Sequence, residues 1–219
     1  MPFNHPHPLR AVLEQVTATT CPKRFNFHCH TLCSDGSLTP EALADEAVKI
    51  GLEHFAVTDH HSLEAYPLVQ KRLDYHRSVG SNVPKLWTGT EVSCVLENCL
   101  VHVLALGYEP SHGAMAPYLQ GDTVVGEQLG AAAVVEAIQA ANGLALLAHP
   151  ARYRINFKLL MRAASELGFD GAETWYDYEM QPRWRPSEHV CERVADLATD
   201  LNFLQSCGTD SHGLSLLGR

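Results

Sequence analysis

The chain reads as a single α/β domain, and three observations carry that reading. Short apolar, β-type runs alternate with stretches of helical periodicity from about residue 25 to residue 206. Six of the runs carry His, Asp or Glu, five of them at or just past the C-terminal end of the run. The length of 219 residues, 46 % of them hydrophobic, fits one domain with a sizeable core.

Taken in order, Leu9, Val12, Leu13 and Val16 recur at helical spacing. An amphipathic helix over 8–19 is therefore expected to cover one end or side of the domain, with residues 1–24 forming an N-terminal arm and helix. A strand over 25–29 leads to a loop holding Asp35. Thr39 then caps a helix that has Pro40 in its first turn and Gly51 at its end. A strand over 54–58 follows, and Ser62 opens a second helical stretch, offset by Pro67, towards Gly80. Strands over 85–90 and 100–106 lie too close for a crossover helix, so a hairpin-like turn near Glu97-Asn98 should join them. The segment from Glu109 to Gly126, with Pro110, Gly113, Pro117 and Gly121, is the least regular. A helix over 127–141 should end at Asn142-Gly143. Strands over 144–148, 170–175 and 203–206 are linked by helices near 157–167 and 186–201. Seven strands with outer helices result, without internal repeat or low-complexity tract.

Composition narrows the function. No apolar run approaches the roughly 18 residues needed to span a bilayer, so no membrane partner is expected. Residues Met1 to Pro8 lack the charged and apolar regions of a secretory signal, and His5 and His7 read as a frayed start. A formal net charge of −9 argues against a broad nucleic-acid surface and against stable duplex binding. The seven cysteines are odd in number and contain no Cys-x-x-Cys pair, which points to a reducing cytoplasm rather than a disulfide scaffold.

The chemistry lies in Phe27-His28-Cys29-His30. Two histidines one residue apart on a strand share a face, while Cys29 between them faces the other way. Imidazole is the commonest metal ligand. By itself the pair is ambiguous in a chain with 13 histidines. The later strands add Thr58-Asp59-His60, Glu91, His102, His149 and Cys207-Gly208-Thr209-Asp210-Ser211-His212. Ligands arriving from many strand ends are what a metal site at one mouth of a barrel requires.

The ordered set His28-x-His30, Asp35, Thr58-Asp59-His60, Glu91, His102, His149 and Asp210-x-His212 resembles the PHP (polymerase and histidinol phosphatase) superfamily from about Phe25 to Gly213. The resemblance implies a PHP domain over 25–219 built as a distorted seven-stranded, TIM-like barrel. It also implies two or three divalent ions, with Zn, Mn and Fe compatible with the donors. His28, His30, Glu91 and Asp210 would hold the first ion. Glu91, His102 and His149 would hold the second, and Asp35, His60 and His212 the third, with Glu91 bridging the first two. Such a centre lowers the pKa of bound water towards neutrality and yields a hydroxide that attacks phosphate esters. The implied enzyme is a metal-dependent phosphoesterase whose substrate is a nucleotide, another small phosphorylated metabolite or an oligonucleotide end.

Asp59, Glu91 and His212 are the candidates for a direct part in catalysis. For Asp59 two readings compete, a carboxylate that orients His60 and a general acid. Arg152 and Arg154 follow His149-Pro150 and can present a guanidinium to phosphate. Trp175 and Tyr176, at the end of a strand, can stack on a base or pack at the rim. Glu173 serves the barrel wall or orients a basic neighbour. One departure from the family pattern stands out: only 46 residues separate His102 from His149, where nucleotide-selective relatives carry a larger helical insertion. Exonuclease action on short nucleic-acid ends, in either direction, remains open beside monoester hydrolysis. So do an amidohydrolase-type metal hydrolase and a non-catalytic PHP module.

Overall fold

The computed structural model describes residues 7–218. Its elements run α1 (Arg10–Leu13), β1 (Phe25–Asn26), α2 (Pro40–Ile50), β2 (His54–Ala56), α3 (Ala65–Ser78), β3 (Lys85–Trp87), β4 (Gly89–Leu96) and β5 (Cys99–Leu106). They continue with α4 (Ala131–Ala140), β6 (Leu144–Leu147), α5 (Phe157–Glu166), β7 (Gly171–Trp175), α6 (Glu188–Asp200) and β8 (Leu204–Cys207). Short 3₁₀ segments occupy Gly113–Tyr118, Gly126–Leu129 and Pro150–Arg152.

The α/β expectation holds, but the described residues form eight strands in two sheets rather than seven in one closed barrel. The sheet orders are β1-β2-β3 and β4-β5-β6-β7-β8. The extra strand comes from the run over 85–90, which divides at Thr88. Lys85–Trp87 pairs in parallel with β2, whereas Gly89–Leu96 pairs antiparallel with β5. Gly89 permits the change of partner: a Cβ there would lie 2.5 Å from the Val57 carbonyl oxygen. The two sheets approach edge to edge at both sides. On one side Phe27 N–H donates to Cys207 O at 2.9 Å, Asp210 N–H to His28 O at 2.8 Å and His30 N–H to Ser211 O at 3.1 Å. On the other, Glu91 N–H donates to Thr58 O at 3.2 Å.

Local signals explain the helices. Thr39 Oγ1 accepts from Ala42 N–H, Pro40 fills the first turn, and Gly51 closes α2 in the left-handed conformation at φ 82°. The helix expected over 8–19 is only Arg10–Leu13, although Leu9, Val12, Leu13 and Val16 are all buried as their spacing predicts. Thr20 Oγ1 donates to Thr17 O and accepts from Thr17 N–H, so the β-branched run bonds its own backbone and leaves the helix. His7 is not frayed. It is buried, its Nδ1 accepts from Leu9 N–H, and its Nε2 lies 3.1 Å from Gly107 O. His5 lies outside the described residues.

Between β4 and β5 the turn at Glu97-Asn98 takes positive φ at both residues, as a tight hairpin demands. The N-terminal segment packs Leu9, Val12 and Leu13 with Phe25, Leu106, Leu144 and Leu204. Leu144 and Leu204 begin β6 and β8, so this apolar cluster closes the end of the fold opposite the residues that follow those strands. Cys29 turns from its histidine neighbours into the cluster of Leu43, Phe55 and Leu73. All seven cysteines are free thiols. Among the described residues no helix is long and apolar enough to cross a membrane.

Candidate metal centre

At the other end, loops and strand ends bring nine side chains together. His28 and His30 follow β1, His60 follows β2 and His149 follows β6, while Glu91 and His102 project from paired β4 and β5. Asp35 comes from the loop before α2, and Asp210 and His212 from the segment after β8. Glu91, 1 % exposed, is the hub. Its Oε2 lies 3.0 Å from His28 Nε2, 3.1 Å from His30 Nε2 and 3.6 Å from His60 Nε2. Its Oε1 lies 2.8 Å from His102 Nδ1 and 3.2 Å from His149 Nε2. Asp210 Oδ1 approaches His28 and His30 at 3.3 and 3.2 Å. Exposed Asp35 faces His212 at 3.3 Å and His60 at 3.8 Å.

Four donor sets result: His28, His30, Glu91 and Asp210; His60, Glu91 and His102; His30, Asp35, His60 and His212; and His28, His149 and Glu173. Within each, one donor atom per residue lies within 4.8 Å of the others. His149 joins through Glu91. Two further observations fit cations at this place. The buried Nε2 of His30 stands 3.1 Å from Glu91 Oε2 and 3.2 Å from Asp210 Oδ1 without being aligned for a hydrogen bond to either. The donors are imidazole and carboxylate without thiolate, a set suited to Zn, Mn or Fe.

The electrostatics describe the same need for positive charge. Burial would raise the Glu91 carboxyl, but His28 and His102 outweigh it and hold it well below the carboxylate range. Asp210 is likewise held well below, burial being overcome chiefly by His28 and His30. Burial disfavours charge on His30, yet its contacts with Asp210 and Glu91 raise it to about 9. His28 rises well above its ordinary value for the same kind of reason, with Glu91 and Glu173 against burial. His60 goes the other way, to about 4, because burial prevails. Without metal, protons on His28 and His30 balance carboxylates that cations would otherwise balance.

The remaining sequence candidates divide. Arg152 stands at the lip, its Nη1 donating to Tyr176 Oη and Asp210 Oδ2, both at 3.1 Å. With Tyr153 it lines a pocket of about 500 Å³ shared with Asp35, His60, Glu91, His102, His149, Asp210 and His212. Arg154 is exposed and outside that lining. Trp175 is also outside it and packs against the apolar cluster containing Trp184. A bulge between Glu173 and Trp175 breaks the alternation of β7, and Tyr176 takes the place at the site. Asp59 does not orient His60. Its Oδ1 accepts from Thr31 N–H at 2.7 Å and Ser34 Oγ at 2.6 Å, and its Oδ2 from Thr31 Oγ1 at 2.6 Å. It is 1 % exposed and braces the loop between His30 and Asp35.

The sequence assigns Tyr153 no role, and it reads Tyr176 only with Trp175, as a base-stacking or rim residue. Tyr176 Oη donates to Asp210 Oδ2 at 2.6 Å, and Tyr153 Oη accepts from His102 N–H at 2.7 Å. Neither has a spacing signal. Glu173 had one: a lone carboxylate inside the buried run Gly171-Ala172-Glu173-Thr174 must have partners. His61 is buried, its Nε2 accepting from Ser93 N–H at 3.1 Å.

The PHP-domain family model matches residues 26–201. Among curated proteins, similarity is to 5′–3′ exoribonucleases. The Salmonella typhimurium protein Rnm is 33 % identical over 99 residues, covering 45 % of this chain and 32 % of that one. Its Escherichia coli counterpart is 30 % identical over 129 residues, or 55 % and 43 % of the two chains. The Haemophilus influenzae enzyme is 28 % identical over 145 residues, or 61 % and 51 %. The matches thus span a third to about half of those relatives' lengths. Among solved structures, a candidate metal-dependent phosphoesterase of Bifidobacterium adolescentis superposes with TM-score 0.70 at 22 % identity over 88 % of each chain. A sulfate-bound amidohydrolase of Chromobacterium violaceum gives 0.70 at 19 %, over 87 % of this chain and 88 % of that one. At these identities the structural likeness is one of fold.

Proposed function

This chain belongs to the PHP-domain family, and from that membership we propose that it is a metal-dependent hydrolase of phosphate esters, acting on nucleotides or similar small phosphorylated molecules. The observation that carries the proposal is the convergence of nine His, Asp and Glu side chains on one pocket with Arg152 at its lip. The ligand sets are assigned as His28, His30, Glu91 and Asp210; Glu91, His102 and His149; and Asp35, His60 and His212. Divalent cations bound there supply Lewis acidity and activate water.

The chain's own residues do the rest. Glu91 presents its two carboxylate oxygens to different imidazoles and serves both of the first two sets. Tyr176 holds Asp210 by one oxygen, leaving the other directed at His28 and His30. Arg152 reaches the same oxygen as Tyr176, and an incoming phosphoryl group competes for its guanidinium with a bidentate contact. A pocket of about 500 Å³ has the size of a small-molecule site. The catalytic unit is assigned to residues 25–219 and the N-terminal arm to 1–24, of which the described part, 7–24, packs at the far end.

A second reading, 5′–3′ exoribonuclease action, is favoured by the likeness to exoribonucleases of three bacteria. None of the described residues 107–130 lines the pocket, which fits access by a chain end. One experiment addresses both readings. The protein, supplied with Mn or Zn, is assayed on nucleoside monophosphates, bisphosphates, a 5′-phosphorylated oligoribonucleotide and an amide panel. Phosphate release or stepwise nucleotide release, abolished by chelation, is expected. Amide hydrolysis alone, or inactivity of the metal-loaded protein on every ester, would reject the proposal.

A further inference from the structure

We propose that Glu173 is a positioning residue that sets two of the assigned ligand sets at once, by fixing the ring of His28 and the backbone of His149. The inference rests on the ligand assignment above and goes beyond it to a residue outside the three assigned sets. Its carboxylate lies within 4.8 Å of donor atoms of His28 and His149 and acts on them by orientation rather than by sharing an ion. Glu173 lies on β7, fully buried, with Ser206 of β8 as its register partner. Its two oxygens are 3.0 and 3.1 Å from His28 Nδ1. Its Oε2 also accepts the backbone N–H of His149 at 2.9 Å. The other ring nitrogen of His28 is the one that faces Glu91 Oε2, at 3.0 Å, and Asp210 Oδ1, at 3.3 Å.

A histidine that binds metal through one nitrogen must keep its proton on the other. A carboxylate at Nδ1 enforces that tautomer and raises the basicity of the nitrogen facing the ion. The second contact addresses a different problem. His149 has φ 29° and ψ 59°, outside the regions a non-glycine residue occupies without strain. This conformation lets the chain turn immediately after β6 and bring the imidazole Nε2 to 3.2 Å from Glu91 Oε1. The N–H of so sharp a turn is buried, and Glu173 is its acceptor. One carboxylate on β7 therefore ties the segment after β1 to the segment after β6.

Glu173→Gln is the informative variant, because an amide fills the same space but has only one acceptor. If its oxygen serves His149 N–H it stays 3.1 Å from His28 Nδ1, but its NH₂ then stands 3.0 Å from the same nitrogen, so the Nδ1–H meets a donor beside its acceptor and loses the carboxylate charge that holds the proton there. If it turns over, the His149 N–H loses its acceptor. Either way one ligand set is impaired. Asp35, His60 and His212 do not touch Glu173 and serve as the internal control.

The test is titration of the stripped 219-residue chain with zinc against a chromophoric chelator, with thermal melts of the same samples. For Glu173→Gln, zinc affinity at one or both of the sets holding His28 and His149 should fall by roughly 10–100-fold. Zinc held by Asp35, His60 and His212 should remain, and the metal-free melt should stay cooperative. In parent protein loaded with zinc and labelled with ¹⁵N-histidine, His28 should carry its proton on Nδ1, and in the variant that signature should be lost or the ring released from zinc. Zinc stoichiometry and affinity equal to the parent's would overturn the inference. So would a uniform loss from all three sets, which marks a merely structural role, or direct Glu173–zinc coordination. A parent chain that binds no zinc or manganese would instead remove the ligand assignment on which the inference stands.

Discussion

Replacing Glu91 by Gln should destabilise the protein even before any metal is considered. The side chain is 1 % exposed and has five imidazole nitrogens between 2.8 and 3.6 Å from its oxygens. In the metal-free chain at neutral pH, His28 and His30 are held protonated. Gln removes the charge that balances them and turns an NH₂ group towards N–H donors. Taking one partner from a buried ionic cluster costs about 3–5 kcal/mol. In a domain of this size each kcal/mol moves Tm by roughly 2–4 °C, so the metal-free variant should melt ~6–20 °C below the parent. Metal should widen the gap. Ligand linkage raises the parent's Tm with zinc or manganese, whereas the variant lacks the carboxylate shared by two sets and should gain far less. The assay is a pair of circular-dichroism melts, with chelator and with saturating metal. A metal-free Tm within 2 °C of the parent's, together with an equal rise on adding metal, would refute the reasoning.

Three other expectations follow from the same geometry. With His30 at about 9 in the fold and near 6.5 when unfolded, its contribution is fully present below pH 6.5 and is lost as pH rises towards 9. The loss is on the order of 3 kcal/mol, and a metal-free Tm that stays flat over this window would count against it. Arg152→Ala should lower kcat/KM by about ten- to a hundredfold, the value of a charge-assisted contact of roughly 1.5–3 kcal/mol, without changing metal content. Arg154→Ala should stay near the parent, and equal losses from the two would mean a diffuse electrostatic role. Gly208→Ala should disrupt the first ligand set, because the new Cβ would stand 2.2 Å from His28 Cβ and 2.7 Å from its nitrogen. Parent-like melting and zinc uptake by that variant would contradict the packing.

What could be read in advance was whatever depends on local chemistry. Thr39, Pro40 and Gly51 bound a helix by capping alone, and Glu97-Asn98 supplies the positive φ that a tight hairpin needs. His28 and His30 announce a shared face through the two-residue period of a strand. What escaped depends on partners distant in sequence. No local rule says that the run over 85–90 changes sheets at Thr88, since the reason is the closeness of Gly89 to Val57. Trp175 and Tyr176 read alike in the sequence, as base-stacking or rim residues, and it is the bulge after Glu173 that puts Tyr176 rather than Trp175 at the site. Asp59 sits beside His60 in sequence, but its oxygens are taken by Thr31 and Ser34, across a turn that adjacency does not reveal.

The seam between β1 and β8 sets the order in which the molecule can come together. Asn26 Nδ2 donates to Thr209 Oγ1 across 183 residues, and the neighbouring backbone bonds join segments equally remote. Closing a loop of that length costs roughly 4–5 kcal/mol of chain entropy beyond a constant. The three backbone bonds across the seam return about 1 kcal/mol each, which falls short. Apolar packing of Phe25 and Phe27 with Cys207 must supply part of the difference. The rest falls to charge: the imidazoles of His28 and His30 on one side and the Asp210 carboxylate on the other. The groups gathered for chemistry are thus also the clasp of the fold, and the β4–β5 hairpin, local in sequence, can form long before that clasp is fastened.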